Sequence, residues 1–166
     1  MVAPAAFTAF SGSGGRPTEA ERRLVEATRH GASAECPELS EAMRVVSADL
    51  VAALATGEFR SPDWPDWQIG AGGIQLAGAR ISGRLALNRR HVGGDLLFLS
   101  CQFDEGINLD DARVEGGLML TGCVIQGGCS MNGATIRGDV QAYGAQFRNP
   151  GRICLSAEKL ESSDWN

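Results

Sequence analysis

Large rings are scarce in this chain. Aromatic residues make up 6% of its 166 positions, while glycine fills 22 of them. That balance excludes a core of bulky aromatics and suits a narrow structure with many tight corners. A basic excess is also missing. The formal net charge is −5, so the electrostatic footprint of a nucleic-acid-binding protein is absent. No run of about 18 apolar residues occurs, and no membrane-spanning helix is predicted. The first ten residues are apolar but lack a basic start, which argues against a signal peptide. Five cysteines are scattered unevenly. They form no CxxC and no Cys/His cluster at zinc spacing, and they do not make a secreted disulfide framework. His30 and His91 are the only histidines, so no catalytic histidine pair is visible. These features predict a cytoplasmic, reduced protein without metal or cofactor.

The first part of the chain reads as a cap. Residues 1–17 are rich in Ala, Gly and Ser and are predicted to be disordered. Thr18 and Glu21 form a capping box at the start of a helix that Gly31 ends. After Pro37 a second helix is predicted from about Leu39 to Thr56. Met43, Val46, Leu50, Ala53 and Leu54 follow helical spacing there, and Gly57 closes it. Ser61 to Trp67 carries Pro62, Trp64, Pro65 and Trp67, too broken for regular structure, and is predicted to lay its Trp rings over the junction. Residues 18–68 are thus a helical cap and linker.

From Ile74 the periodicity changes. Leu76, Ile81, Leu87, Val92, Phe98, Phe103, Leu109, Val114, Leu120, Ile125, Met131, Ile136, Ala142 and Phe147 are spaced alternately 5 and 6 apart. A second lane two residues earlier includes Ile74, Ala79, Leu85, Cys101, Ile107, Ala112, Cys123 and Ala134. Residues two apart on a strand share a face, so both lanes point inward. Gly83, Gly94, Gly116, Gly127 and Gly138 mark one set of corners; Gly78, Gly122, Gly133 and Gly144 mark the other. Strands this short bury their side chains only when equivalent strands stack. Four sides of about 5.5 residues give a coil of roughly 22, hence about four coils over residues 69–166.

"GARISG" at 78–83 and "GATIRG" at 133–138 resemble the units of pentapeptide-repeat proteins, which place a small residue at one inward position and Leu or Phe at the other. The sixth residue of alternate units departs from that pattern, and so does the shortage of Asp/Asn before the large inward residue. The cap followed by "GARISGRLAL" is similar to a group of actinobacterial multi-repeat proteins sometimes labelled membrane-associated oxidoreductases. The resemblance implies an all-β solenoid, a right-handed quadrilateral β-helix behind an α-helical N-terminal cap.

Several residues stand out from the repeat. Arg89, Arg90 and His91 are adjacent, and Arg90 falls in an inward lane where an unpaired charge is costly. A local bulge that swings it outward is expected; a functional basic spot is the alternative. Asp104, Glu105, Asp110, Asp111 and Glu115 form the densest acidic patch, read as a solvated face or a site for a cation or basic partner. Cys101 and Cys123 are 22 apart and should stack as reduced, buried small residues exchanging with Ala112 and Ala134. After Phe147 the rhythm slips, and Ile153 and Leu155 read as the next inward pair. With Leu160 and Trp165 they mark a candidate dimer end.

The function expected is that of a non-catalytic structural or protein-interaction module with an unknown protein partner, a possible homodimer through its C-terminal coil, and no direct nucleic-acid binding. Two alternatives come from the resemblance. One is a DNA mimic protecting a type II topoisomerase, as some pentapeptide-repeat proteins do. The other is an oxidoreductase, from the family label.

Overall fold

The computed structural model describes residues 5–165. From Ile74 onward, strands of two to four residues turn four corners per coil and stack into four parallel sheets, the sides of a rod. Side A stacks Ala34–Glu35, Ile74–Ala77, Leu96–Leu99, Leu118–Thr121 and Val140–Gln141. Side B stacks Val45–Ser47, Arg80–Ser82, Gln102–Phe103, Val124–Gln126 and Gln146–Arg148. Side C stacks Leu85–Ala86, Ile107–Asn108, Cys129–Ser130 and Leu155–Ser156. Side D stacks His91–Val92, Arg113–Val114, Thr135–Ile136 and Glu161–Ser162. The register steps by 22 residues: Leu96 faces Leu118, Ile81 faces Phe103, Leu85 faces Ile107 and His91 faces Arg113. The fold is a right-handed β-solenoid of about four coils.

Both predicted lanes point inward. Ile81, Phe103 and Ile125 are buried in one column, and Val92, Val114 and Ile136 in another. The Phe98 and Phe103 rings meet edge to face at 5.1 Å. Each such side chain contributes about 1.5–3 kcal/mol by leaving water, and in-register pairing satisfies the backbone between coils.

The corners obey a stricter rule than glycine content suggested. Positions 78, 89, 100, 111, 122, 133 and 144, each 11 apart, all have positive φ. Three of them carry side chains, Arg89, Ser100 and Asp111. Gly94, Gly116 and Gly138 are needed for a different reason. Their φ values are ordinary, but a Cβ on Gly138 would sit 2.6 Å from the Gly117 nitrogen, and one on Gly116 2.7 Å from the Asp95 nitrogen. At Gly116 and Gly138 the coils approach too closely for a side chain, and at Gly94 a Cβ would be in tight contact, 3.0 Å from the Gly73 Cα.

Helix α1 (Glu19–His30) begins with the predicted capping box and ends at a left-handed Gly31. The second helix differs from expectation. Helix α2 spans only Ala48–Ala55, and the residues before it make turns and then the strand Val45–Ser47. That strand pairs with Arg80–Ser82, Val46 facing Ile81. Met43 therefore lies outside the cover and is 50% exposed. Val45 and Val46 are β-branched and suit a strand, and the edge of the first coil offers a partner that a helix could not use.

The stretch expected to be disordered carries contacts instead; its first four residues lie outside the described residues. Phe7 and Phe10 pack against Phe59, and Phe10 also against Trp64. The Phe7 amide donates to the Arg60 carbonyl at 2.7 Å. The Trp rings pack within the cap, on α1: Trp64 Nε1 donates to Glu26 at 2.6 Å and Trp67 Nε1 to the Val25 carbonyl at 3.1 Å. Among the described residues no helix is long and apolar enough to cross a membrane.

At the far end the register step lengthens. Cys129 faces Leu155 and Thr135 faces Glu161, a step of 26. The extra residues form a loop over 149–154, and Ile153 sits on it, 74% exposed. The expected inward pairing of Ile153 with Leu155 is thus corrected: Leu155 and Ala157 continue the lanes of Cys129 and Met131.

Candidate interaction surface

Apolar side chains fill the rod, so what a partner meets is the outer positions of the four sides. On side B the Arg80 guanidinium bonds both Asp104 oxygens, at 3.0 and 2.9 Å. Side C carries a polar ladder. The Asp110 carboxylate accepts from the Ser130 hydroxyl and from the Asn132 amide at 2.9 Å. Asn132 Oδ1 accepts from the Ser156 hydroxyl and the Glu158 amide, each at 2.8 Å. On side D, Glu115 lies between His91 at 3.1 Å and Arg137 at 2.9 Å.

These bonds distribute the predicted acidic patch over three sides. Asp104 belongs to B and Asp110 to C; Glu105 is at the B–C corner, Asp111 at the C–D corner, and Glu115 on D. Adjacency in sequence does not survive folding here, because 11 residues turn two corners. The basic trio separates likewise. Arg89 is a corner residue with φ 58°. His91 points out from side D and faces Arg113 in the next coil. Arg90 follows the regular register without the expected bulge, and its carbonyl accepts from the Arg113 amide at 2.9 Å. It is the lowest member of its lane. Its side chain is half-exposed and pairs with Glu58, just beyond α2.

The loop over 149–154 creates a groove of ≈ 570 Å³ at the B–C corner, beside Arg84, Glu105, Asn149 and Arg152. Its charges are mixed in sign. Cys101 and Cys123 are both buried free thiols in neighbouring coils. The neighbouring Cys123 thiol, followed by burial, raises the pKa of Cys101 well above its ordinary value. Burial pushes the Cys36 thiol up to about 11 and Cys129 up to about 12. Among the described residues no three His, Cys, Asp or Glu side chains gather as metal ligands do.

Side A is different. Two outward columns climb it, Gln75–Leu97–Met119–Gln141 and Ala77–Leu99–Thr121. Tyr143 completes the second, its carbonyl accepting from Gly122. Glu35 on the first rung, exposed beneath Ala77, is charged; above it neither column contains a charge. Leu99 and Tyr143 are 48% and 59% exposed, and Trp165 tops the side through its bridge to Val140. One margin of the side is small and neutral: Gly78, Ser100, Gly122 and Gly144. The other is acidic. Asp95, Gly117, Asp139 and Asp164 hold equivalent places, their carbonyls accepting from Ile74, Leu96, Leu118 and Val140. Gly117 leaves a notch of ≈ 240 Å³ between Asp95 and Asp139, beside Leu97 and Met119.

Sequence reasoning missed this side. The signal was present: Leu97 and Met119 are 22 apart at outward strand positions where, from Ile74 onward, only Ala86 and Val124 are apolar on the other sides. Compared with family models, with curated proteins and with solved structures, the chain matches none.

Proposed function

We propose that this protein is a non-catalytic interaction module of the pentapeptide-repeat kind, in which a rigid rod presents side A to a protein partner. The carrying observation is the outer surface of side A, uncharged above Glu35 on its first rung, where Leu99 and Tyr143 are exposed and Leu97 and Met119 half-buried on a stacked backbone. Exposed apolar side chains gathered on one face mark interaction surfaces, whereas scattered ones do not. The DNA-mimic reading needs acidic side chains along a face. Here Asp104 is neutralised by Arg80, and Glu115 by Arg137. The oxidoreductase label has no residue behind it on any side. A photo-crosslinking amino acid in place of Leu99 tests the proposal in cells of the source organism. Discrete protein adducts should form there and not from the same group in place of Ala86 on side C. Equal labelling from both positions, or none from either, refutes it.

A second reading concerns the far end. Gln146–Arg148, Leu155–Ser156 and Glu161–Ser162 each pair with a strand on one side only among the described residues. Phe147, Leu155 and Leu160 remain half-buried beneath that edge. Open parallel edges over apolar residues favour a twin joined end to end. Sedimentation equilibrium should then find a concentration-dependent dimer that Leu155→Glu and Leu160→Glu abolish. A monomer at high micromolar concentration, unchanged by them, would end this reading.

A further inference from the structure

We infer that side A seats an amphipathic helix of the partner, about three to four turns long and basic along one flank. This rests on the interaction-module reading and adds the partner's chemistry.

Size comes first. Four rungs at about 4.8 Å and a strand three to four residues wide give a face roughly 20 Å by 12 Å. A second copy laid face to face would bury a few hundred Å² on each rod, well short of the ~800 Å² per partner of a stable pair. A helix about 10 Å wide and ~13 residues long spans the same face at 1.5 Å per residue.

Shape and charge narrow the occupant further. Half-buried Leu97 and Met119 in one column and exposed Leu99 and Tyr143 in the other give the face four apolar anchors, which match an apolar stripe at i, i+3, i+4 and i+7. The small neutral margin lets the helix backbone come close. The opposite margin carries Asp95, Asp139 and Asp164 at the same corner of different coils. Asp95 Oδ1 is engaged by the Gly117 amide at 2.8 Å, whereas Asp139 is exposed. Round the corner, Arg137 is held by Glu115 at 2.9 Å. A Lys or Arg on the flank of the helix would lay its stem on Leu97 and Met119 and set its charged head in the notch beside Asp139. Long basic side chains cover apolar surface in this way while keeping the charge outside.

The test is selection from a displayed library of random 16-residue peptides against the full chain, followed by fluorescence anisotropy with the synthesised winners. Winners should carry apolar residues at helical spacing with Lys or Arg on one flank, and should turn helical on binding. Leu99→Lys and Met119→Lys should each weaken binding ~10-fold or more, as truncated anchors do. Asp139→Lys should weaken it about 5-fold and restore affinity for a peptide whose flanking Lys residues are changed to Glu. Ala86→Lys should change nothing. All four positions point outward, and unchanged thermal melting confirms that the variants fold. No enrichment, winners with strand-like alternation or acidic flanks, or affinity indifferent to Leu99→Lys and Asp139→Lys would overturn the inference. Crosslinks from position 99 would in that case keep the interaction-module reading alone, and their absence would remove both.

Discussion

Glu21 is the most consequential polar residue in the cap. Its side chain is completely buried, yet among the described residues no cation pairs with it. Instead it gathers backbone amides from three segments. Oε2 accepts from Thr18 at 2.9 Å and Oε1 from Ser47 at 2.9 Å, while Ser11 donates to both oxygens at 3.0 and 3.1 Å. One carboxylate thus joins the N-terminal segment, the start of α1 and the junction between the strand Val45–Ser47 and α2. Replacing it by alanine leaves two donors without partners where water is excluded, since Thr18 and Ser47 are both buried. Ser11 is exposed and recovers a water. An orphaned buried amide costs about 1–3 kcal/mol, so Glu21→Ala should lose roughly 3–5 kcal/mol in all, a large share of the ~5–15 kcal/mol that holds a domain together. Glu21→Gln keeps one accepting oxygen but turns an NH₂ toward an amide donor, and should lose about 1–3 kcal/mol. Urea unfolding followed by far-UV circular dichroism measures both. The order alanine, glutamine, wild type in rising stability is expected. A loss below ~1 kcal/mol for Glu21→Ala would mean that water reaches Thr18 and Ser47, and the carboxylate would then not be the tie described.

Other perturbations follow from the corners, the thiols and the cap. Arg89→Gly and Ser100→Gly should each stabilise by about 0.5–1 kcal/mol in thermal melts, because a side chain in the left-handed region costs about 1–2 kcal/mol and glycine returns part of that as entropy. Gly106→Ala should be severely destabilising, since φ is 89° and the new Cβ would lie 2.4 Å from the Gly128 carbonyl oxygen; Gly93→Ala, with open space around it, should be neutral or mildly stabilising. Cys129 is raised from 9.0 to about 12 by burial, so its contribution is complete below pH 9 and is lost as the pH climbs toward 12. Alkaline unfolding curves should show that fall, and Cys129→Ala should flatten it. Deleting residues 1–68 should give aggregated or unfolded protein, and a soluble, cooperatively melting 69–166 fragment would contradict this.

How legible each feature was depends on whether its cause lies along the chain or across it. The lanes were readable because a 5–6 alternation repeats in every coil and each inward position must be apolar or small. The capping box was readable because Thr18 and Glu21 are three residues apart. Arg90 was misread because its cost was judged from its lane alone. As the lowest member of that lane it has Glu58 within reach of its side chain, a neighbour 32 positions away in sequence. Arg89, Ser100 and Asp111 hid the left-handed corner because none is glycine, although 11-residue counting from Gly78 or Gly122 reaches all three. Ile153 was placed inward by counting through a loop whose length the repeat does not dictate.

The boundary between cap and solenoid shows the same division. Composition and periodicity put it near residue 68, where helical spacing gives way to the 5–6 alternation. The backbone ladder puts it earlier. Ala34–Glu35 is already the first rung of side A, pairing with Leu76–Ala77, and Val45–Ser47 is the first rung of side B. Among the described residues sides C and D have no such rung: α2 packs against Leu85–Ala86, and Glu58 takes up Arg90. The cap therefore closes half of the rod's lower edge with strands and the other half with a helix and its flank. Strands satisfy open backbone groups that a helix cannot, while a helix covers apolar side chains that a lone strand leaves wet. A sequence serving both needs within residues 34–58 has to mix the two periodicities. That is why Met43, Val46 and Leu50 looked like one helix, and why only the last of them lies in one.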